Sequence, residues 1–146
     1  VSVWVICEDR EVEQWALKLG TQVIHNDQGG LNNAAQTGLN AIAKEGIEKV
    51  LITHADLIFP EDLLSLFQYD GIVLVPDRHN DGTNIIGLPS NIDFSFKYGP
   101  GSFEKHKAEA EKFSIPLSVI TNTNFGFDID NPNDLLESKL SKDDLI

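Results

Sequence analysis

Asp128-Ile129-Asp130 is the sharpest chemical signal in this sequence. In an extended segment residues two apart point the same way, so both carboxylates share one side and Ile129 takes the other. Aligned carboxylates repel unless a cation neutralises them or one takes up a proton. The plainer alternative makes Asp130 part of a cap on a helix starting at Asn131 and leaves Asp128 solvated. Asp56 follows an apolar strand ending at Thr53. A carboxylate there either meets Mg2+ in a ligand crevice or closes a turn before Pro60. Together Asp56, Asp128 and Asp130 would make a three-carboxylate Mg2+ site.

Three loops could hold anions or polar groups. Gly29-Gly30 runs into Leu31-Asn32-Asn33-Ala34, a glycine-rich turn opening a helix. Bare glycines let a ligand approach the backbone, and a helix N-terminus favours an anion or a polar base edge. The turn is neither GxGxxG nor a Walker A loop, and a structural turn explains it nearly as well. The amides of Asn32 and Asn33 suit a nucleobase or ribose. The segment from Asp77 to Asn84 holds Arg78, one of only two arginines in the chain. It reads either as a hairpin turn around Asp81-Gly82 or as a phosphate or carboxylate cradle. In Tyr98-Gly99-Pro100-Gly101-Ser102-Phe103, Gly99 and Gly101 open the backbone and Ser102 can cap the helix beyond it, leaving N–H groups aimed at one spot. An ordinary capped helix start is the alternative. His106 on that helix reads as a surface residue, and Cys7 as a small buried hydrophobe. No nucleophile–base pairing and no metal-type histidine spacing stands out.

The elements that must position these residues are set by periodicity. Residues 1–7, 21–25, Lys49–Thr53, 72–75, 84–88 and 117–121 read as strands, with residues 127–130 a short extended piece. Residues 11–19, Leu31–Lys44 and 102–113 read as helices. A further helix starts at Pro60, and another at Asn131-Pro132 with Asp134 reaching back. Strands alternate with helices through the first half, which implies a mainly parallel mixed sheet covered on both faces, with ligands outside the carboxyl ends of the strands. The chain has 146 residues, one domain's worth, with no internal repeat or linker.

Charge narrows the partners. With 23 acidic against 11 basic residues and a net charge of -12, the chain lacks the basic face that a broad grip on nucleic acid needs. A small polyanion can bind only through local devices such as a cation or helix N-termini. One cysteine excludes a disulfide framework and fits a reducing cytoplasm. No apolar run approaches the ~18 residues of a membrane span.

Taken in order, five segments resemble one family: Gly29-Gly30-Leu31-Asn32-Asn33-Ala34; His54-Ala55-Asp56-Leu57; Pro76-Asp77-Arg78-His79 with Gly82-Thr83-Asn84; Tyr98-Gly99-Pro100-Gly101-Ser102-Phe103 with His106; and Phe127-Asp128-Ile129-Asp130 followed by Asn131-Pro132 and Asp134-Leu135. The series is similar to the CofC/FbiD guanylyltransferases of coenzyme F420 biosynthesis. The resemblance implies a nucleotidyltransferase α/β fold akin to GT-A glycosyltransferases. It implies coupling of GTP to 2-phospho-L-lactate, phosphoenolpyruvate or 3-phosphoglycerate with release of pyrophosphate. By the same resemblance Asp56, Asp128 and Asp130 hold Mg2+, Thr83, Gly99 and Ser102 bind the phosphate and carboxylate of the acid, and Gly29, Gly30, Asn32 and Asn33 meet the guanosine. Arg78, on the cradle reading of its own loop, is a further candidate for binding the acid. Family members begin with a strand and a basic loop that nothing before Val1 matches, so the fold is expected to be N-terminally incomplete, with a sheet edge open to pairing in a homo-oligomer. A sugar transferase of GT-A type, another nucleotidyltransferase, or a non-catalytic ligand-binding domain are the alternatives.

Overall fold

Apolar periods of two and 3.6 alternate along the chain, and the elements follow them. The computed structural model describes residues 1–58, 62–121 and 123–137. Within it run β1 (Trp4–Cys7), α1 (Arg10–Lys18), β2 (Gln22–His25), α2 (Leu31–Lys44), β3 (Lys49–Thr53), β4 (Ile72–Pro76), β5 (Thr83–Pro89), α3 (Ser102–Ala110), β6 (Leu117–Val119) and α4 (Pro132–Glu137), with 3₁₀ helices at Leu63–Gln68 and Asn124–Gly126. The start of the helix expected at Pro60 lies outside the described residues. From Leu63 to Gln68 the backbone is a 3₁₀ helix and not an α-helix.

The strands form two sheets. β1 and β2 pair in parallel. The other four lie in the order β3-β5-β4-β6. β5 runs antiparallel to both β3 and β4, and β6 runs parallel to β4, so β3, β4 and β6 share a direction and β5 opposes them. The sheet is therefore mixed. β4 returns into β5 through a short loop, so the hairpin around Asp81-Gly82 is present. Asp77 organises that loop: its carboxylate accepts from the N–H groups of His79, Asp81 and Gly82 at 2.9, 3.0 and 2.7 Å. A side chain at Gly82 would collide with the same carboxylate, since a Cβ there would sit 2.8 Å from Asp77 Oδ2.

Every residue of β4 is buried, as are the first six of β5. Alternation splits their side chains into two cores. Ile72, Leu74, Ile86 and Leu88 pack with Ala35, Leu39 and Ile42 of α2 and Phe103 and Ala110 of α3. Val73, Val75 and Ile85 pack on the other face with Leu66 and Phe125, both from 3₁₀ helices. The cover expected on both faces is thus supplied by α-helices on one and by 3₁₀ helices on the other. α2 also reaches the smaller sheet, where Gly38 leaves room for Ile6 of β1; a Cβ there would lie 3.2 Å from it.

A β-bulge decides where the site falls. Val75 pairs with Ile85, but the next residue, Pro76, pairs with Thr83. Asn84 is the extra residue, so it stays on the side of Ile85 while Thr83 turns to the α3 side. Bulges re-aim side chains in this way. Because β5 is antiparallel, its first residues lie at the carboxyl ends of β3 and β4, where a ligand crevice is expected.

Candidate active site

Two chemically different regions meet at the start of β5. On the α3 side, Thr83, Ser102 and His106 are 2%, 1% and 0% exposed. His106 Nδ1 lies 2.9 Å from Thr83 Oγ1, and Ser102 Oγ lies 3.3 Å from it. The other ring nitrogen, Nε2, accepts from the Lys97 backbone N–H at 2.8 Å. Burial, with Lys97 adding to it, holds the imidazole's pKa at about 4, so the ring is neutral. The surface position expected for His106 is overturned. Phe103, His106 and Ala110 recur at helical spacing, and that shared face is the one α3 buries.

Ser102 does not cap α3. Gly101 occupies the cap position with φ +68°, and the Ser102 hydroxyl turns to Thr83 instead. Nor are the N–H groups at this helix start vacant. Phe103 N–H donates to Asp81 O at 3.0 Å and Gly101 N–H to the Asp81 carboxylate at 3.2 Å. Gly99 has φ +118° and is exposed, and its carbonyl accepts from Ser102 N–H at 3.0 Å. Beside it the Tyr98 ring meets His106 edge-on at 4.7 Å and His54 at 5.1 Å. Burial pushes the Tyr98 phenol well above its ordinary value.

On the other side lie the carboxylates. Leu57 bridges to Asp128 across an antiparallel contact, Ile58 N–H donates to Phe127 O at 3.1 Å, and Ile129 N–H to Asp56 O at 3.3 Å. These bonds bring the Asp56 loop alongside Asp128 and Asp130. Burial first, then the charges of Asp130 and Asp56, push the Asp128 carboxyl above its ordinary range, against the opposing hydrogen bond from Asn84. Among the described residues no group of three His, Cys, Asp or Glu is arranged to hold a metal ion. The donor set is nonetheless one of hard oxygens, the type a divalent cation such as Mg2+ would take.

The second arginine is committed to this side. Arg78 pairs with Asp134 and its guanidinium lies 4.5 Å over the Phe127 ring. Asp134 in turn accepts from the N–H groups of Asp130 and Asn131, each at 2.9 Å. Arg78 N–H donates to Gly126 O at 2.8 Å. Arg78 thus braces the segment carrying Asp128 and Asp130. The Asn131 cap and the returning Asp134 are as the sequence implies.

The glycine turn is a third region. Gly29 and Gly30 have φ of +69° and +82°, which only glycine adopts without strain. Asn33 Nδ2 donates to Asn26 Oδ1 at 2.8 Å, and Gly30 N–H donates to Glu8 at 2.8 Å. Asn32 Oδ1 accepts from Tyr98 N–H at 2.6 Å, joining this turn to the loop above Thr83 and Ser102.

Residues 1–144 match the family model described as "Guanylyl transferase CofC like". The chain belongs to this family. A phosphoenolpyruvate guanylyltransferase of Sphaerobacter thermophilus is 34% identical over 143 residues, an alignment covering 93% of this chain and 68% of that one. The Rubrobacter xylanophilus phosphoenolpyruvate guanylyltransferase is 32% identical, with 95% and 71% covered. A 2-phospho-L-lactate guanylyltransferase of Methanothrix thermoacetophila is 42% identical over a shorter stretch, 60% of this chain and 40% of that one. The crystal structure of a nucleotide-diphospho-sugar transferase-like protein from Desulfovibrio desulfuricans G20 superposes with a TM-score of 0.65 at 10% identity, covering 83% of this chain and 59% of that one. That likeness establishes the fold as of nucleotide-diphospho-sugar transferase type. No described helix is long and apolar enough to cross a membrane.

Proposed function

We propose that this chain transfers the guanylyl group of GTP to a small phosphorylated carboxylic acid, a step of coenzyme F420 biosynthesis. The observation that carries the reading is the bulge at Asn84, which sets carboxylates and buried hydroxyls on opposite sides of one strand start. An oxygen of the acid's phosphate forms a bond to the α-phosphorus of GTP. The bond from that phosphorus to the β-phosphate bridge breaks, and pyrophosphate leaves. The attacking phosphate is already ionised at neutral pH, so no general base is needed. Catalysis of this kind is mostly positioning and charge stabilisation.

Asp56, Asp128 and Asp130 would hold Mg2+, which when bound supplies the positive charge that an acidic chain cannot offer a triphosphate. Arg78 and Asp134 keep the segment of Asp128 and Asp130 in place. Thr83 and Ser102, with the loop at Gly99, take the phosphorylated acid. Gly29, Gly30, Asn32 and Asn33 take the guanosine, and the bond from Tyr98 N–H to Asn32 keeps the two substrates' loops in register. Phosphoenolpyruvate is the first acid to try, because relatives aligned along most of this chain carry that name. The 3-phospho-D-glycerate guanylyltransferase of Phenylobacterium zucineum, 26% identical, makes 3-phosphoglycerate a second, and 2-phospho-L-lactate is a third.

The test is pyrophosphate release from GTP and Mg2+ with each acid in turn. Release with one of the three establishes the reaction and names the acceptor. No release with any, from protein shown to be folded, contradicts the assignment of turnover to these residues.

A further inference from the structure

The buried trio on the α3 side poses a counting problem that chemistry can solve. Thr83 and Ser102 own two hydroxyl protons, and one of these is used between the two oxygens, 3.3 Å apart. The fate of the other depends on the third member. If His106 Nδ1 carries a proton, it donates to Thr83 Oγ1, and one hydroxyl proton of the pair is left over to donate elsewhere. If Nδ1 is bare, it takes that proton, and the pair presents only lone pairs. The first state suits an anionic oxygen; the second repels it.

The structure settles which state holds. Lys97 contributes a backbone N–H, which can only donate, and it points at Nε2 from 2.8 Å. Nε2 must therefore be the bare nitrogen, so the neutral ring carries its proton on Nδ1, facing Thr83 at 2.9 Å. Burial keeps the ring neutral. Phe94 and Phe96 sit 6.0 and 6.5 Å from the ring centroid and Tyr98 4.7 Å, and this aromatic packing holds the imidazole against rotation. A helix residue, a strand-end residue and a loop amide are thus wired in one direction, from Lys97 N–H through the imidazole to the hydroxyls.

We propose that His106 is a positioning residue which, by donating from Nδ1, turns the Thr83–Ser102 pair into a net hydrogen-bond donor for an anionic oxygen of the phosphorylated acid. This rests on the reading of the pair as the acid's subsite. His106 itself touches no substrate; it sets the polarity of the groups that do.

Two substitutions separate this role from a structural one. In His106→Asn the side-chain amide reaches the place of Nδ1 and keeps a donor toward Thr83. In His106→Gln the amide reaches the place of Nε2, keeps an acceptor for Lys97 N–H, and loses the donor to Thr83. Affinity for phosphoenolpyruvate, 3-phosphoglycerate and 2-phospholactate is read by calorimetry on the wild-type chain and on both variants, each first shown folded by circular dichroism. For the acid that binds, the Asn variant should stay within about threefold of wild type. The Gln variant should lose about tenfold to a hundredfold, the scale of one hydrogen bond to a charged group. Nitrogen NMR of the wild-type imidazole should show the proton on Nδ1 from pH 6 to 8, a readout independent of any ligand.

A proton on Nε2, or equal losses in both folded variants, overturns the role given to His106 while leaving the acid subsite intact. Failure of the wild-type chain to bind any of the three acids is different. It removes the acid subsite itself, and this proposal with it.

Discussion

Thr83 and Asn84 are neighbours in sequence and face opposite chemistries. Thr83 looks into a neutral, nearly dry cluster of hydroxyls and imidazole. Asn84 looks toward Phe125 O at 3.0 Å and toward Asp128, where carboxylates crowd one another. The difference teaches how an acidic chain can handle two anions at once. In the proposed reaction the carboxylate side would attract a cation and through it a triphosphate, and the hydroxyl side would serve an anion by directed donors. A regular strand would also have sent the two side chains to opposite sides, but the wrong ones. Without the bulge Thr83 would share the face of Ile85 and miss α3 altogether.

The strongest way to break the carboxylate side is Asp128→Asn. Turnover in a pyrophosphate-release assay should fall by at least about a hundredfold, the scale of losing a metal-held charge. Thermal unfolding should stay put or shift upward, because burial and then the charges of Asp130 and Asp56 disfavour the ionised Asp128 carboxylate in the fold. Activity surviving this change would remove Asp128 from the site. Arg78→Ala comes next. It leaves Asp134, 3% exposed, without its guanidinium and frees the Asp130 segment from the loop after β4. Turnover should drop about tenfold, as for a group that orients a ligand rather than being one. Thermal stability should fall as well, and that fall distinguishes it from Asp128→Asn.

The smallest effect sharpens the hydroxyl side. The pKa of His106 is lowered from 6.5 to about 4 in the folded chain. The unfolded chain therefore binds more protons between those values, so stability decreases as pH falls from 6.5 toward about 4. Glu109 lies close to this ring; burial raises its carboxyl, but hydrogen bonds from Lys112, Lys97 and Ser95 N–H bring it below its ordinary value. Its contribution is fully present above the ordinary carboxylate value and is lost as pH falls through that value and below, so the upper part of the window belongs to His106. Denaturant unfolding at pH 6.5 and pH 5 should give a smaller difference for His106→Asn than for wild type. An unchanged difference would mean that the imidazole is not held neutral.

Much of this is legible in the residues. The turn glycines at 29 and 30 and the Asn131 cap with Asp134 read correctly as to local structure, because each depends on neighbours within a few positions. The hairpin at Asp81-Gly82 is visible as one of two readings. The features hidden from the sequence depend on distant partners. Nothing near Arg78 announces Asp134, 56 residues away. The bulge is a matter of register between β4 and β5, which alternation within either strand does not record. His106 is visible in principle, three residues after Phe103 and four before Ala110, but a polar residue on an apolar face reads as exposed until its partners are known. Ser102 reads as a cap because it stands first in the helix, yet Gly101 with positive φ already ends the loop and leaves the hydroxyl free to turn to Thr83.

The proposed division of the site into a cation side and an anion side is tested most directly by amide NMR. Mg2+ and phosphoenolpyruvate are titrated separately into the labelled chain. The account predicts that Mg2+ moves Asp56, Asp128 and Asp130 and their neighbours, and that phosphoenolpyruvate, without metal, moves Thr83, Ser102 and residues 99–101. Shifts by both ligands in one shared set, or phosphoenolpyruvate binding only where Mg2+ binds, would contradict it.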